Sequence, residues 1–141
     1  MRAPHHGYIP LPHIRPLHSG FSDPVAVAEM FLGAPYLWGG NSAVGIDCSG
    51  LVQGAYLACG ILAPADSDLQ QSMGVDAAGS PYLRGDLLFW RGHVALVVDG
   101  AQLIHANGHS MTVAYEGISD CITRISASGG GGVTAHRRVS R

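Results

Sequence analysis

Two stretches in the first half of the chain place apolar residues three or four positions apart, a period that predicts α-helices. The first stretch begins at Pro24, with Asp23 as its N-cap, and Gly33 suits its C-terminal end. The second covers residues 48–59 and ends at Gly60. We therefore expect the N-terminal part of the domain to be helical.

The apolar pattern changes after a third, short helix, which is predicted within residues 66–73. Turn signals then separate five predicted strands, at residues 86–90, 93–98, 102–106, 112–115 and 133–138. Helices followed by an antiparallel sheet predict an α+β domain over residues 22–141. Residues 1–21 are rich in histidine and proline and show no period, so we interpret them as an extended lead-in, of the kind that ends an upstream domain.

The composition narrows the class of protein. Hydrophobic residues make up 47% of the chain and charged residues 13%, which is typical of a compact globular domain. The net charge of −2 gives no positive field for nucleic acid, and no apolar run is long enough to span a membrane. Residues 1–20 lack the apolar core of a signal peptide. This favours a cytoplasmic location; a periplasmic or secreted one is the alternative if the chain is a fragment.

The chain has three cysteines, an odd number that leaves at least one thiol to explain. Cys48 lies where a loop meets the start of the second helix. The free amides of a helix start favour a thiolate and can donate to an oxyanion, so Cys48 is a candidate nucleophile. A small buried apolar residue is the alternative. Cys59 and Cys121 are interpreted as structural, the latter in a surface-like segment without a basic neighbour.

A nucleophilic thiol needs a base, and two histidines stand in apolar strands, His93 and His105. A three-residue hairpin loop at residues 99–101 would place both rings on one face of the sheet, whereas a two-residue loop would place them on opposite faces. His109, in a polar turn, and His136, in an exposed arginine-rich tail, are less suitable.

If the two rings share a face, His93 can take the thiol proton and return it to the leaving amine, while His105 orients the His93 ring. Zinc is the rival use of Cys48, His93 and His105, but the sequence has no Cys-x-x-Cys or His-x-x-x-His pair. We therefore expect neither a metal nor a cofactor.

An ordered set of motifs resembles the NlpC-type family of bacterial cell-wall cysteine peptidases. The motifs are Pro35-Tyr36-Leu37-Trp38-Gly39-Gly40, Asp47-Cys48-Ser49-Gly50-Leu51-Val52, Gly85-Asp86-Leu87-Leu88-Phe89-Trp90, His93-Val94 and Ile104-His105-Ala106. The resemblance covers residues 22–138. It implies a papain-like fold, with the nucleophile at a helix start packed on an antiparallel sheet, and a triad of Cys48, His93 and His105.

The resemblance further implies hydrolysis of the amide between γ-D-glutamate and a diamino acid in peptidoglycan peptides. The residues that it places at the substrate are Tyr36, Trp38, Asp47, Ser49, Asp66 and Ser67. Asp66 and Ser67 would hold a free amino terminus, or alternatively cap a helix. These two residues resemble a stretch of the subgroup that recognises a free N-terminal L-alanine, but Ala65 stands where that subgroup often has a basic residue. Members of that subgroup usually carry small β-barrel domains ahead of the catalytic one, so we expect an upstream cell-wall-binding domain if this chain is part of a longer one.

Two other functions stay open from the sequence. One is a related amidase or acyltransferase on the same fold, because a fold does not choose among acyl-transfer reactions. The other is a non-catalytic module that binds murein peptides.

Overall fold

A computed structural model describes residues 7–140, so the first six residues of the predicted lead-in and residue 141 lie outside it. Within that range, the helices are α1 Pro24–Glu29, α2 Cys48–Ala58, α3 Ser67–Gln70 and α4 Ile118–Ala127. The strands are β1 Asn41–Ser42, β2 Gly45–Ile46, β3 Val75–Asp76, β4 Leu87–Trp90, β5 His93–Val97, β6 Gln102–Asn107, β7 Thr112–Gly117 and β8 Ala135–Arg138. The order confirms an α+β domain.

Six of the strands form one antiparallel sheet in the order β3-β8-β4-β5-β6-β7, and β1 pairs with β2 in a separate hairpin. Alternate residues of the central strands pack on α1 and α2 on one face. The other residues pack against α4 on the opposite face. The sheet is therefore covered on both faces, which is why all four residues of β4 are apolar and buried.

The predicted start of the first helix and the predicted end of the second are confirmed, whereas α1 ends at Glu29, before the predicted C-terminal glycine, Gly33. The Asp23 carboxylate accepts the Val25 amide at 3.0 Å, with Pro24 at the first helical position. Helix α2 is followed by Gly60, whose φ of 75° lies in the left-handed region that glycine adopts without strain.

The segment that carries Cys121 was wrongly expected to lie at the surface. It forms α4, and Cys121 is fully buried against the sheet, one helical turn from Arg124. The apolar residues Ile118, Cys121, Ile122 and Ile125 recur at helical spacing and face the sheet.

The expectation of an exposed C-terminal tail is also wrong for β8. His136 is 5% exposed, and its Nε2 lies 2.6 Å from a carboxylate oxygen of Asp86 on the neighbouring chain segment. Arg138 donates two hydrogen bonds to the same carboxylate. Because Asp86 lies 50 residues before His136 in the chain, this buried hydrogen bond has no local signal in the sequence.

The lead-in over residues 7–20 is exposed and contains one 3₁₀ turn, Leu11–His13. Arg15 stacks its guanidinium 3.7 Å above the Phe21 ring centre where the lead-in meets the domain. Among the helices in residues 7–140, none has the length and apolar character needed to cross a bilayer.

Candidate active site

Asp47 fixes the start of α2, where Cys48 is the first helical residue. One carboxylate oxygen of Asp47 accepts the Gly50 amide at 2.7 Å and the Ser49 hydroxyl at 3.1 Å. The other oxygen accepts the Gly39 amide at 2.9 Å. Asp47 thus caps the helix and ties it to the loop before it, so the position of the Cys48 thiol is set by both.

Two glycines allow the loop to lie directly on the start of α2. A Cβ atom on Gly50 would lie 2.5 Å from the carbonyl oxygen of Gly40, a backbone atom that cannot move aside. A Cβ atom on Gly40 would in turn overlap the backbone of Gly45. The motif therefore needs glycine at both positions for close packing of backbone on backbone.

The hairpin between β5 and β6 confirms the three-residue loop. Leu96 pairs with Ile104 and Val97 with Leu103, and the Val98 amide donates to the Gln102 carbonyl. The Asp99 carboxylate sets the loop length, because it accepts the amides of Ala101 and Gln102, each at 2.8 Å. His93 and His105 consequently lie on one face of the sheet, the face covered by α4.

Cys48 reaches the same strands from the other face of the sheet. The paired register of β5 and β6 stops at Leu96 and Ile104, although both strands extend further. Beyond that point the backbone amide of Val94 interacts with the Cys48 sulfur. The thiol therefore meets β5 at the residue next to His93.

The two histidines are directly linked. His93 Nε2 lies 2.8 Å from His105 Nδ1, and the ring centres are 5.1 Å apart. His105 is 1% exposed, whereas His93 is only partly buried. The contact with His105 engages Nε2 of His93, and the other ring nitrogen, Nδ1, takes no part in it.

The structure adds two residues that the sequence reasoning missed, Glu116 on β7 and Arg124 on α4. His105 Nε2 lies 2.9 Å from a carboxylate oxygen of Glu116. Arg124 holds the same carboxylate through two hydrogen bonds of 2.8 and 2.9 Å. The apolar spacing of α4 is a signal that could have predicted this helix, and with it the position of Arg124 on the same face of the sheet as His93 and His105.

Burial dominates the protonation of the site. It raises the pKa of the Cys48 thiol, although the amides of Val94 and Ser49 act in the opposite direction. The helix start alone predicts a lowered thiol pKa, and that expectation is wrong here because burial outweighs it. Burial also lowers the pKa of His93 to about 3 and that of His105 to about 4. The resting pair is therefore a neutral thiol and a neutral imidazole.

A cleft of about 540 Å³ opens in front of Cys48. It is lined by all six predicted substrate-contacting residues, Tyr36, Trp38, Asp47, Ser49, Asp66 and Ser67, together with Cys48. His93 instead lines a smaller cavity of about 140 Å³. A separate cleft of about 400 Å³, formed by residues 78–82 and 133–136, contains none of the predicted site residues.

The polar side chains that line the cleft differ in whether they already form hydrogen bonds within the chain. The oxygens of Asp47 and the hydroxyl of Ser49 are engaged within the chain. Asp66 precedes α3 but makes no capping hydrogen bond, so its carboxylate is not tied up as a helix cap. Trp38 is 84% exposed and forms an open wall of the cleft.

A metal-type grouping occurs in the described residues at His105, Glu116 and Cys121, whose ligand-type atoms lie within 4.8 Å of one another. Two features oppose a cation there. Arg124 already pairs with the Glu116 carboxylate. Burial raises the pKa of the Cys121 thiol to about 12, so a thiolate ligand is disfavoured.

Comparison with known proteins supplies a family match. Residues 33–125 match the model of the NlpC/P60 family. A γ-D-glutamyl-L-lysine dipeptidyl-peptidase of Bacillus cereus is 37% identical over 92 residues, which are 60% of this chain and 28% of that protein. The chain thus spans less than a third of the length of that curated relative.

Solved structures share the fold. The peptidoglycan hydrolase RipB of Mycobacterium tuberculosis is 29% identical with a TM-score of 0.70, covering 84% of this chain and 63% of that one. The NlpC/P60 domain of the peptidoglycan hydrolase SagA is 30% identical with a TM-score of 0.68, covering 82% of this chain and 96% of that one.

Proposed function

The chain belongs to the NlpC/P60 family, and we propose that it is a cysteine endopeptidase that hydrolyses γ-D-glutamyl–diamino acid bonds in peptidoglycan peptides. The observation that carries the proposal is the His93–His105 hydrogen bond of 2.8 Å, formed one residue from the amide that meets the Cys48 sulfur. The names of the relatives, which are cell-wall peptidases, support the substrate class.

In this proposal Cys48 is the nucleophile and His93 the general base. His93 Nδ1 takes the thiol proton as the sulfur attacks the scissile carbonyl carbon. The amides of Cys48 and Ser49 at the start of α2 interact with the Cys48 sulfur in the resting site. During attack they donate to the resulting oxyanion, since Asp47 already occupies the Gly50 amide. His93 then protonates the leaving amine, and water hydrolyses the thioester.

The resting neutrality of the pair fits general-base catalysis. A thiol whose pKa is raised by burial does not ionise before the substrate arrives. A neutral imidazole is ready to accept its proton, because burial keeps the pKa of His93 far below 7. Proton transfer therefore accompanies attack on the carbonyl.

We infer the position of the substrate from the residues that line the cleft. Asp66 offers a carboxylate that can pair with the ammonium group of an amino-terminal residue. Tyr36 and Trp38 also line the cleft, as does Ser67, the residue after Asp66. A peptide with a free amino terminus two residues from the scissile bond is the substrate that this arrangement favours.

Product analysis tests the assignment. Incubation with L-Ala-γ-D-Glu-meso-diaminopimelate should release L-Ala-D-Glu and free diaminopimelate, as identified by mass spectrometry. Cleavage at another amide of digested cell wall would favour the amidase or acyltransferase alternative. Saturable peptide binding by the wild type without any turnover would favour a binding module.

A further inference from the structure

We propose that Glu116 is a positioning residue that fixes, through His105, the tautomer of His93 in which Nδ1 is unprotonated. The inference deepens the proposed function and rests on it, because that tautomer is the one that can accept the thiol proton. It arises from a relay of hydrogen bonds among four side chains on three strands and a helix: His93, His105, Glu116 and Arg124.

The chain of hydrogen bonds starts from the Glu116 carboxylate, which can only accept. Arg124 holds it with two hydrogen bonds, and these keep the pKa of Glu116 at about 2. Glu116 is therefore a carboxylate at neutral pH. Since His105 Nε2 lies 2.9 Å from one of its oxygens, that nitrogen carries the proton and donates.

The direction of the next hydrogen bond follows from this one. A neutral imidazole has one N–H and one acceptor nitrogen, so His105 Nδ1 is an acceptor once Nε2 carries the proton. His93 Nε2, 2.8 Å away, must then donate. His93 in its neutral form is left with a lone pair on Nδ1, the nitrogen that the mechanism requires.

The opposite arrangement is disfavoured by the same contacts. If His93 carried its proton on Nδ1, His105 would have to donate from Nδ1 and present a lone pair to Glu116. Two acceptors would then face each other at 2.9 Å, with the His105 side chain fully buried. A protonated Nδ1 would also meet the thiol as a donor and could not remove its proton.

The charged and titratable groups around His105 come from two strands, one helix and one turn. His93 faces it from β5, Glu116 from β7, and Arg124 and Cys121 from α4, with His109 in the turn after β6. Among these described groups, Glu116 is the one anion at neutral pH, because burial keeps the Cys121 thiol protonated. The direction of the relay thus depends on Glu116.

The relay also stabilises the charged form of His93 that arises during the reaction. When the S–H bond of Cys48 breaks, its proton forms the Nδ1–H bond of His93, and the ring becomes an imidazolium. That cation donates from Nε2 to His105, which donates on to Glu116, so a negative charge lies at the end of the relay. The proton later leaves with the amine, and the neutral tautomer is restored.

Nitrogen-15 NMR of the imidazole rings tests the proposal on the full chain. In the wild type we expect both His93 and His105 as the Nε2–H tautomer at pH 7. In Glu116→Gln the side-chain amide can donate to His105 Nε2, and we expect the Nδ1–H form of His93 to appear. We expect kcat to fall by about 100-fold with KM unchanged, because a wrong histidine tautomer in a triad costs up to about 10⁴-fold.

Glu29→Gln is the matched control, since Glu29 contacts Tyr115 and Arg84 at the surface and lies outside the relay. It should leave the tautomers and kcat as in the wild type. Unchanged tautomers and kcat in Glu116→Gln would overturn the proposal. If Glu116→Gln does not fold, the wild-type spectrum still decides, because an Nδ1–H tautomer of His93 there contradicts the relay.

The same experiment separates this inference from the proposed function. Absence of hydrolysis by the wild type, or full activity in Cys48→Ala, would reject the peptidase assignment. The ring tautomers and their response to Glu116→Gln would still report on the relay. If the wild type hydrolyses the peptide but Glu116→Gln changes neither the tautomers nor kcat, the relay alone is rejected.

Discussion

His93 Nε2 and His105 Nδ1 lie 2.8 Å apart, a contact made possible by a hairpin loop of three residues. One residue fewer in that loop would turn the two rings to opposite faces of the sheet. The contact engages Nε2 of His93, so in the proposed mechanism Nδ1 is the nitrogen that acts on Cys48.

Removal of the His105 ring should reduce turnover without abolishing the fold. In His105→Ala, His93 loses the partner that orients it, so kcat should fall by about 100-fold, within the range of a lost general-base contribution. The Glu116–Arg124 pair remains intact behind it. Added imidazole should restore part of the rate by filling the cavity. A kcat within twofold of the wild type would contradict the orienting role.

Stability should fall as the pH drops from 6.5 to 5. Burial lowers the pKa of His93 to about 3 and of His105 to about 4, so the unfolded chain binds protons in this window that the folded chain does not. The loss should be about 3 kcal/mol in the free energy of unfolding, roughly half from each ring, measured by urea denaturation at several pH values.

The control for this pH dependence is the double variant His93→Gln/His105→Gln. It removes both titrating rings, so its free energy of unfolding should change less over the same pH window. An equal pH dependence in the variant and the wild type would show that other groups are responsible.

A methyl group on Gly50 should destabilise the domain. In Gly50→Ala the new Cβ lies 2.5 Å from the Gly40 carbonyl oxygen, and both partners are backbone. We expect a loss of about 1–3 kcal/mol in the free energy of unfolding, as for other overpacked sites. Activity should fall as well, because this contact holds the loop against the helix that begins at Cys48.

Gly54 in the same helix provides the comparison. A Cβ at this position meets nothing within 4 Å, so Gly54→Ala should instead stabilise α2 by about 0.5–1 kcal/mol. Thermal unfolding of both variants checks the pair. Equal destabilisation by both would contradict the close contact between Gly40 and Gly50.

Asp66 should act on the amino end of the substrate. Asp66→Asn removes the charge but breaks no capping hydrogen bond, so stability should stay the same. KM for the tripeptide with a free amino terminus should rise by about tenfold, the value of one charge-assisted hydrogen bond. KM for the N-acetylated tripeptide should not change between the two proteins. An equal rise in KM for both tripeptides would contradict a contact between Asp66 and the substrate ammonium group.

The hairpin and the helix starts were predictable from the sequence because their signals are local. Asp99 and Gly100 indicate the turn that sets the β5–β6 register, and Asp23 and Pro24 indicate the start of α1. The apolar spacing over residues 118–125 is an equally local signal for α4. A prediction of that helix would also have indicated Arg124, the partner of Glu116.

Other features depend on contacts between distant residues. The burial of His136 requires Asp86 and Arg138, brought together by the pairing of β4 with β8. The raised pKa of the Cys48 thiol depends on how deeply the helix start is buried, which no motif specifies. Local sequence thus predicts where the site lies, and tertiary packing sets its protonation.

The rate of tripeptide hydrolysis by cysteine variants tests the central claim most directly. Cys48→Ala should lower kcat/KM by at least about 10⁴-fold, as loss of a nucleophile does. Cys59→Ala, at the other end of the same helix, should retain a rate close to that of the wild type. Comparable rates for Cys48→Ala and the wild type would contradict Cys48 as the nucleophile.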